Sequence, residues 1–247
     1  MRRLIAALAC RVEGTRLYGK PLQNLVPGKT ILDQILDTVE TLPFIDMPVL
    51  GIAEGIANRP FVEVARNRGI PYVMGDETDV LARLIACGRV AAASDVFRVT
   101  TECPFLHAEP FEQAWQNHVD HANDVTTTDG LPEGTHFEIY RLDALVQSHE
   151  RGSDWHRSEG CSRYVREHRD EFTVEVIEPA VQCARPDIRL TVDYPEDLVL
   201  CRRVFEQFRD KAPLIPLADI IGFLDGSPHL RDLVAPYVVT KPLWSAA

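Results

Sequence analysis

Apolar residues along this chain alternate between two spacings. Leu4–Ala9 is a short unbroken apolar run and predicts a buried strand, whereas Ile31, Leu32, Ile35, Leu36, Val39 and Leu42 recur at helical spacing. Pro48–Ile52 and Pro71–Met74 read as further strands, with a helix over Phe61–Arg68 between them. Asp79–Ala93, rich in Leu, Ile and Ala, predicts a long helix that leads into a fourth strand, Asp95–Thr100. Strand and helix in strict alternation is the signature of βαβ units around a mostly parallel sheet.

The pattern loosens after Asp124. Turn formers at Asp129-Gly130-Leu131-Pro132-Glu133-Gly134 precede a predicted strand, Thr135–Arg141, and a polar helical stretch from Asp143 to Asp170. Strands are then expected at Phe172–Ile177 and Asp187–Thr191, and helices at Pro195–Phe208 and Leu217–Leu224, with the tail beyond Pro228 loosely attached. The length of 247 residues suits one elaborated α/β domain. No internal repeat or Gly/Ser linker divides it.

Composition narrows the class. Hydrophobic residues make up 45% and charged residues 26%, ordinary values for a globular protein, and no apolar run is long enough to span a bilayer. Met1–Cys10 imitates a secretory leader, but its apolar stretch is short and Arg11 follows at once, so a first strand and a cytoplasmic protein are expected. Six cysteines are widely spaced without a CxxC pair, which suggests reduced, buried thiols. A net charge of −11 argues against a nucleic-acid partner.

Against that acidic background, positive charge concentrates directly after the first strand. Cys10-Arg11-Val12-Glu13-Gly14-Thr15-Arg16-Leu17-Tyr18-Gly19-Lys20-Pro21-Leu22 carries three cations and two glycines where α/β sheets bind ligands. Glycine backbone lets a polyphosphate approach closely, and Arg and Lys offset its charge. Gly14 to Lys20 satisfies part of a P-loop, but Pro21 stands where that motif needs a magnesium-holding Ser or Thr.

This segment resembles the nucleotide-binding loop of the cytidylyltransferases, A-R-x-x-S-T-R-L-P-G-K-x-L, and most of all that of the spore coat polysaccharide biosynthesis protein F group, with the CMP-KDO and CMP-sialate synthetases further off. Arg11, Thr15, Arg16, Leu17, Gly19, Lys20 and Leu22 match; Gly14 replaces Ser and Tyr18 replaces Pro. Three further segments carry the resemblance. Gly75–Arg83 is similar to G-x-x-x-D-V-L-x-R, with Asp79 and Arg83 as secondary nucleotide-site candidates. Arg98–Pro104 is similar to R-V-T-G-D-C-P, with Thr101 for Gly and Glu102 for the metal-binding Asp. Leu190–Leu198 is similar to L-T-V-D-T-P-E-D-L and supplies Asp193. Weaker matches lie at Pro132–Ile139, where His136 replaces an Asp, and at Arg157-Ser158-Glu159-Gly160.

The resemblance implies a Rossmann-like, GT-A-like nucleotide-diphospho-sugar transferase fold with a mixed, mostly parallel sheet flanked by helices. It further implies transfer of CMP from CTP to an acidic sugar or similar small acceptor, with release of pyrophosphate. Arg11, Arg16 and Lys20 would act on the phosphates together with Thr15, Glu102 and Asp193 would hold Mg2+, and Arg98, His136 and Glu138 would face the acceptor. The segment 131–177 is where relatives pair, so a homodimer is expected. No general base is evident, His136 and His156 being isolated histidines. Three rivals stay open: a glycosyltransferase on the same fold, though no convincing DxD motif is present; a catalytically weakened scaffold or regulatory relative; and an enzyme for a phosphate or phosphonate acceptor.

Overall fold

The computed structural model describes residues 2–244. The chain begins with strand β1 (Leu4–Cys10) and a small hairpin, β2 (Asn24–Val26) and β3 (Lys29–Thr30), which leads into α1 (Ile31–Thr41). Thr30 caps α1: its hydroxyl accepts from the Asp33 amide at 3.0 Å, while the Asp33 carboxylate accepts from the Thr30 amide at 3.1 Å. Then follow β4 (Ile45–Ala53), α2 (Arg59–Arg68), β5 (Tyr72–Gly75), α3 (Val80–Val90), β6 (Asp95–Arg98), α4 (Phe111–Asp120), β7 (Val125–Thr128) and β8 (Glu138–Arg141). The second half adds α5 (Leu142–Arg151), α6 (Asp154–Arg157), α7 (Arg163–Glu167), β9 (Val174–Ile177), α8 (Pro195–Gln207), α9 (Leu217–Asp225) and α10 (Pro228–Val234).

Seven strands form one sheet in the order β5-β4-β1-β6-β8-β7-β9. All neighbours run parallel except β8, which is antiparallel to both β6 and β7. From β1 the chain winds outward through β4 and β5, then returns to place β6 on the other side of β1. The C-terminal ends of β1 and β6 therefore flank a topological switch point, the place where open α/β sheets bind ligands.

Both faces of the sheet are covered. Leu4, Ala6, Leu8 and Cys10 of β1 pack with α1, α2, α4 and α8. Ile5 and Ala7 pack with α3, α5 and α7 on the other face. An apolar run buried on both sides is what a central parallel strand requires. All six cysteines are free and buried. No described helix is long and apolar enough to cross a membrane.

Four expectations need correction. Asp187–Thr191 is not a sheet strand: it is extended but makes only an isolated bridge between Arg189 and Glu133, with the Leu190 amide donating to the Glu133 carbonyl at 2.7 Å. The polar stretch 143–170 is not one helix but breaks at Gly152 and again at Ser158–Gly160. Helix α4 and strand β7 arise where no regular element was expected. The tail is not loose: Leu230, Val234 and Trp244 are buried in the two cores.

Gly134 makes the Arg189 contact possible. Its φ of +91° lies in the left-handed region, and a Cβ there would stand 2.5 Å from the Thr191 amide nitrogen. Gly134→Ala is expected to cost about 2–4 kcal/mol, because both the backbone conformation and the packing of residues 189–192 must change. Chemical denaturation of the variant measures it, and a cost below about 0.5 kcal/mol would contradict this account.

Candidate functional site

The loop after β1 is pinned at both ends. The Val12 amide donates to the Asn58 side-chain oxygen at 2.8 Å, and the Gly19 amide donates to the Val12 carbonyl at 2.9 Å. Gly19 itself adopts φ +60°, which turns the chain so that Lys20 starts a short 3-10 turn with its side chain inward. Gly14 has a different reason. A Cβ there would lie 2.6 Å from the Leu17 carbonyl oxygen, so a Ser would fit only if the turn opened.

This loop, the end of β6 and Asp193 enclose a cavity of about 550 Å³ at the switch point. Arg11, Thr15, Arg16, Lys20, Arg98, Glu102 and Asp193 all line it, as do Glu13 and Glu159. Residues expected from four separate segments thus meet in one place. No histidine is among the lining residues. His136 lies outside, its ring nitrogen 3.1 Å from the Thr128 carbonyl, and burial keeps its pKa below the usual value. His156 is engaged with Glu167 at 2.8 Å. Asp79 also lies outside the lining: it caps α3, accepting from the Ala82 amide, and pairs with His149 at 2.7 Å.

Arg83 reaches the cavity wall but is committed to the fold. Its side chain is buried, and it donates to the carbonyls of Cys10 at 3.1 Å, Gly51 at 2.7 Å and Glu77 at 3.2 Å. It therefore ties together the ends of β1 and β4 beneath the loop. Glu138 is likewise turned inward, accepting from Arg98 at 2.5 Å. Arg98 remains at the cavity surface.

Asp193 is the most heavily charged position. Lys20 approaches one carboxylate oxygen at 2.5 Å and Arg16 at 3.2 Å, while Arg189 donates to the other oxygen at 2.9 Å. Burial alone would raise its pKa, but Lys20 above all, with Arg189 and Arg16, holds it below the ordinary carboxylate range. Asp197 supports it from behind, accepting the amides of Asp193 and Tyr194, each at 2.9 Å. The Arg16 guanidinium lies over the Tyr194 ring, 5.0 Å from its centroid. Arg189 carries much of this arrangement and was not singled out from the sequence, while Glu159, noted only as part of a weak match, pairs with Arg11. Only the spacing of Arg189, four residues before Asp193, was available as a signal.

Glu102 is the contrasting carboxylate. It forms no ion pair among the described residues, and burial, with the nearby negative charge of Asp193, pushes its pKa up. Its backbone is stitched to the Asp193 segment, the Val192 amide donating to its carbonyl at 3.0 Å. An unpaired carboxylate beside a second one, facing a polar cavity, is a hard-oxygen donor set that fits magnesium, which takes few protein ligands and completes its shell with water and phosphate. No group of three or more His, Cys, Asp and Glu side chains forms a metal-ligand cluster among the described residues.

No protein-family model matches the chain. It is 24% identical over 233 residues to the spore coat polysaccharide biosynthesis protein SpsF of Bacillus subtilis, covering 92% of this chain and 96% of that protein. The chain resembles the cytidylyltransferases along nearly its whole length. A cytidylyltransferase from Leptospira borgpetersenii superposes with a TM-score of 0.83 at 18% identity, covering 93% of this chain and 97% of the other. CMP:2-keto-3-deoxy-manno-octonic acid synthetase, solved with CTP, superposes at 0.65 and 16% identity over 83% of this chain and 99% of that one. These structural likenesses establish the nucleotide-diphospho-sugar transferase fold expected from the sequence.

Glu102 makes no ion pair among the described residues, and the more distant charges of Lys20 and Arg98 only partly offset the cost of its desolvation. Glu102→Gln, neutral and nearly isosteric, is expected to stabilise the metal-free protein by about 1 kcal/mol at pH values above the raised Glu102 pKa, where the native carboxylate is charged. The gain should shrink as pH falls towards the raised Glu102 pKa, since protonation removes the same charge. Thermal unfolding across pH reads this, and a destabilised variant would show that Glu102 is held by contacts that need its charge.

Proposed function

We propose that this protein is a magnesium-dependent cytidylyltransferase that moves CMP from CTP to a small acidic acceptor in the synthesis of surface polysaccharide or glycoconjugate precursors. The observation that carries it is the convergence of Arg11, Arg16 and Lys20 with Glu102 and Asp193 on one cavity at the sheet's switch point. The similarity to a spore coat polysaccharide protein and to a synthetase solved with CTP gives the substrate class.

An acceptor oxygen attacks the α-phosphorus of CTP, a new P–O bond forms, and the bond from the α-phosphorus to the bridging oxygen breaks, so that pyrophosphate leaves. Arg11, Arg16 and Lys20, with the Thr15 hydroxyl, hold the β- and γ-phosphates and neutralise charge on the departing pyrophosphate. Glu102 and Asp193 are the residues that would hold magnesium, which when bound supplies positive charge at the phosphates and lowers the pKa of an acceptor hydroxyl. No histidine is among the described lining residues, so the acceptor proton passes to a lining carboxylate or to water. Arg98 faces the acid group of the acceptor.

The likeness to cytidylyltransferases over more than nine-tenths of the chain (92% and 93%), together with the two carboxylates at the metal positions, favours transfer over a scaffold role. We also assign a cytoplasmic location, supported by six free cysteines, and a homodimer formed through the segment 131–177 as one single-domain subunit. Light scattering at micromolar concentration should give twice the mass of 27.8 kDa; the mass of one chain would overturn the dimer.

Pyrophosphate release, measured with each nucleoside triphosphate over a panel of sugar acids, phosphorylated sugars and phosphonates, tests the function. Turnover should require magnesium and favour CTP. Glu102→Ala and Asp193→Ala should each abolish it, Glu102→Asp should keep or raise it, and Lys20→Ala should slow it by about 10²–10³. Full magnesium-dependent turnover by Glu102→Ala would refute the metal assignment, and binding of CTP without any turnover would restore the scaffold reading.

A further inference from the structure

The acceptor side of the cavity is fastened to the far end of the chain. Arg98 and Glu138 are register partners across β6 and β8, and the Glu138 carboxylate, 5% exposed, accepts from Arg98 Nη1 through one oxygen at 2.5 Å. Its other oxygen accepts from the indole Nε1 of Trp244 at 3.2 Å. Trp244 lies more than a hundred residues further along the chain and is only 5% exposed. It is strapped down by Asp129, just beyond β7, whose two carboxylate oxygens accept the backbone amides of Leu243 at 3.1 Å and Trp244 at 2.7 Å. Arg169 closes the strap, donating to the Trp244 carbonyl at 3.3 Å.

Packing alone does not require this geometry. A phenylalanine would keep much of the apolar cover over β7 and β8, but the indole adds an N–H donor at that edge. A carboxylate bound through one oxygen can still turn about its terminal torsion, whereas one bound through both oxygens presents a fixed acceptor to its partner. Arg98 lines the cavity, and its Nη2 makes only a weak contact, 3.5 Å, with the Glu159 carbonyl. A planar guanidinium held in this way suits bidentate recognition of a carboxylate or phosphate.

We propose that Trp244 is a positioning residue for the acceptor: through Glu138 it fixes the guanidinium of Arg98 against the acid group of the incoming substrate. This rests on the transferase reading. It makes the C-terminal strap a determinant of acceptor affinity and leaves the nucleotide half of the cavity to the loop after β1.

The test compares wild type with Trp244→Phe, which keeps a six-membered aromatic ring and loses the pyrrole part with its N–H, and with a truncation after Thr240. Acceptor KM and CTP KM are measured with whichever panel acceptor turns over best, and labelling of Arg98 by phenylglyoxal is followed by peptide mass mapping. Loss of one charge-assisted hydrogen bond should raise the acceptor KM of Trp244→Phe about 5–20-fold, leave the CTP KM within about 2-fold and speed Arg98 labelling several-fold. The truncation should do the same more strongly. Unchanged acceptor KM and unchanged labelling in Trp244→Phe would overturn the proposal. So would a parallel rise in both KM values with lowered thermal stability, which marks a packing residue. If no acceptor turns over with wild type, the transferase reading fails, while the labelling rates still decide whether Trp244 holds Arg98.

Discussion

The arrangement depends most on one buried guanidinium. Arg189, with a side chain 3% exposed, contacts Asp197 through Nε at 2.8 Å, Glu133 through Nη1 at 2.6 Å and Asp193 through Nη2 at 2.9 Å. It thereby ties the turn before β8, the extended segment 187–193 and the first turn of α8 to a common point. Three carboxylates share this cation, and Lys20 and Arg16 supply the two further positive charges that balance them. A group of this kind tolerates little loss, since removing one partner leaves buried charge uncompensated. On the proposed reading its balance also couples the two ligands. A triphosphate that draws Lys20 and Arg16 towards itself leaves Asp193 with Arg189 alone, and a divalent cation arriving with that triphosphate restores the charge.

The departures from the family pattern look different once the turn geometry is known. Gly14 stands where the pattern has Ser because the loop folds its backbone against Leu17, leaving no room for a Cβ. Thr101 stands where the pattern has Gly, and its hydroxyl donates to the Ala9 carbonyl at 3.1 Å, joining the ends of β6 and β1 across the switch point. Nothing in the structure explains Tyr18, whose ring is exposed. Glu102 is longer than Asp by one methylene, but it sits on a turn held by the Val192 amide, so the carboxylate is carried by a fixed backbone.

What was legible in the sequence follows from how local each signal is. Strand β1, helix α1 and helix α3 announced themselves because their apolar period and caps lie within the element. The half of the cavity built by the loop after β1, Glu102 and Asp193 was legible for a related reason: its residues sit in short motifs at strand ends. Strand β7 escaped because three of its four residues are threonines, polar in composition yet buried, with Thr127 donating to the Phe137 carbonyl at 3.0 Å and Thr126 bonded to His118 at 2.9 Å. Helix α4 starts at Pro110 with no side-chain cap. The Asp187–Thr191 segment has a strand's composition, but the Glu133 turn and Glu102 take up its backbone hydrogen bonds instead of a neighbouring strand.

The tail is the instructive miss. The residues beyond Pro228 are rich in apolar positions but are interrupted by Pro236 and Pro242, and the partners that hold Trp244 lie at Asp129 and Glu138. No window of sequence contains both halves of such a contact. The same holds for Arg11 with Glu159 and for Arg16 with Asp193. On the proposed reading, sequence motifs identify the residues that would meet phosphate, because a polyphosphate demands many charges from one loop. The acceptor needs only one or two oriented groups, which any distant part of the chain can supply. On that reading, recognition of the acceptor is the part that can change with the least change in the motifs, and its determinants are to be sought in contacts such as those of Arg98, Glu138 and Trp244.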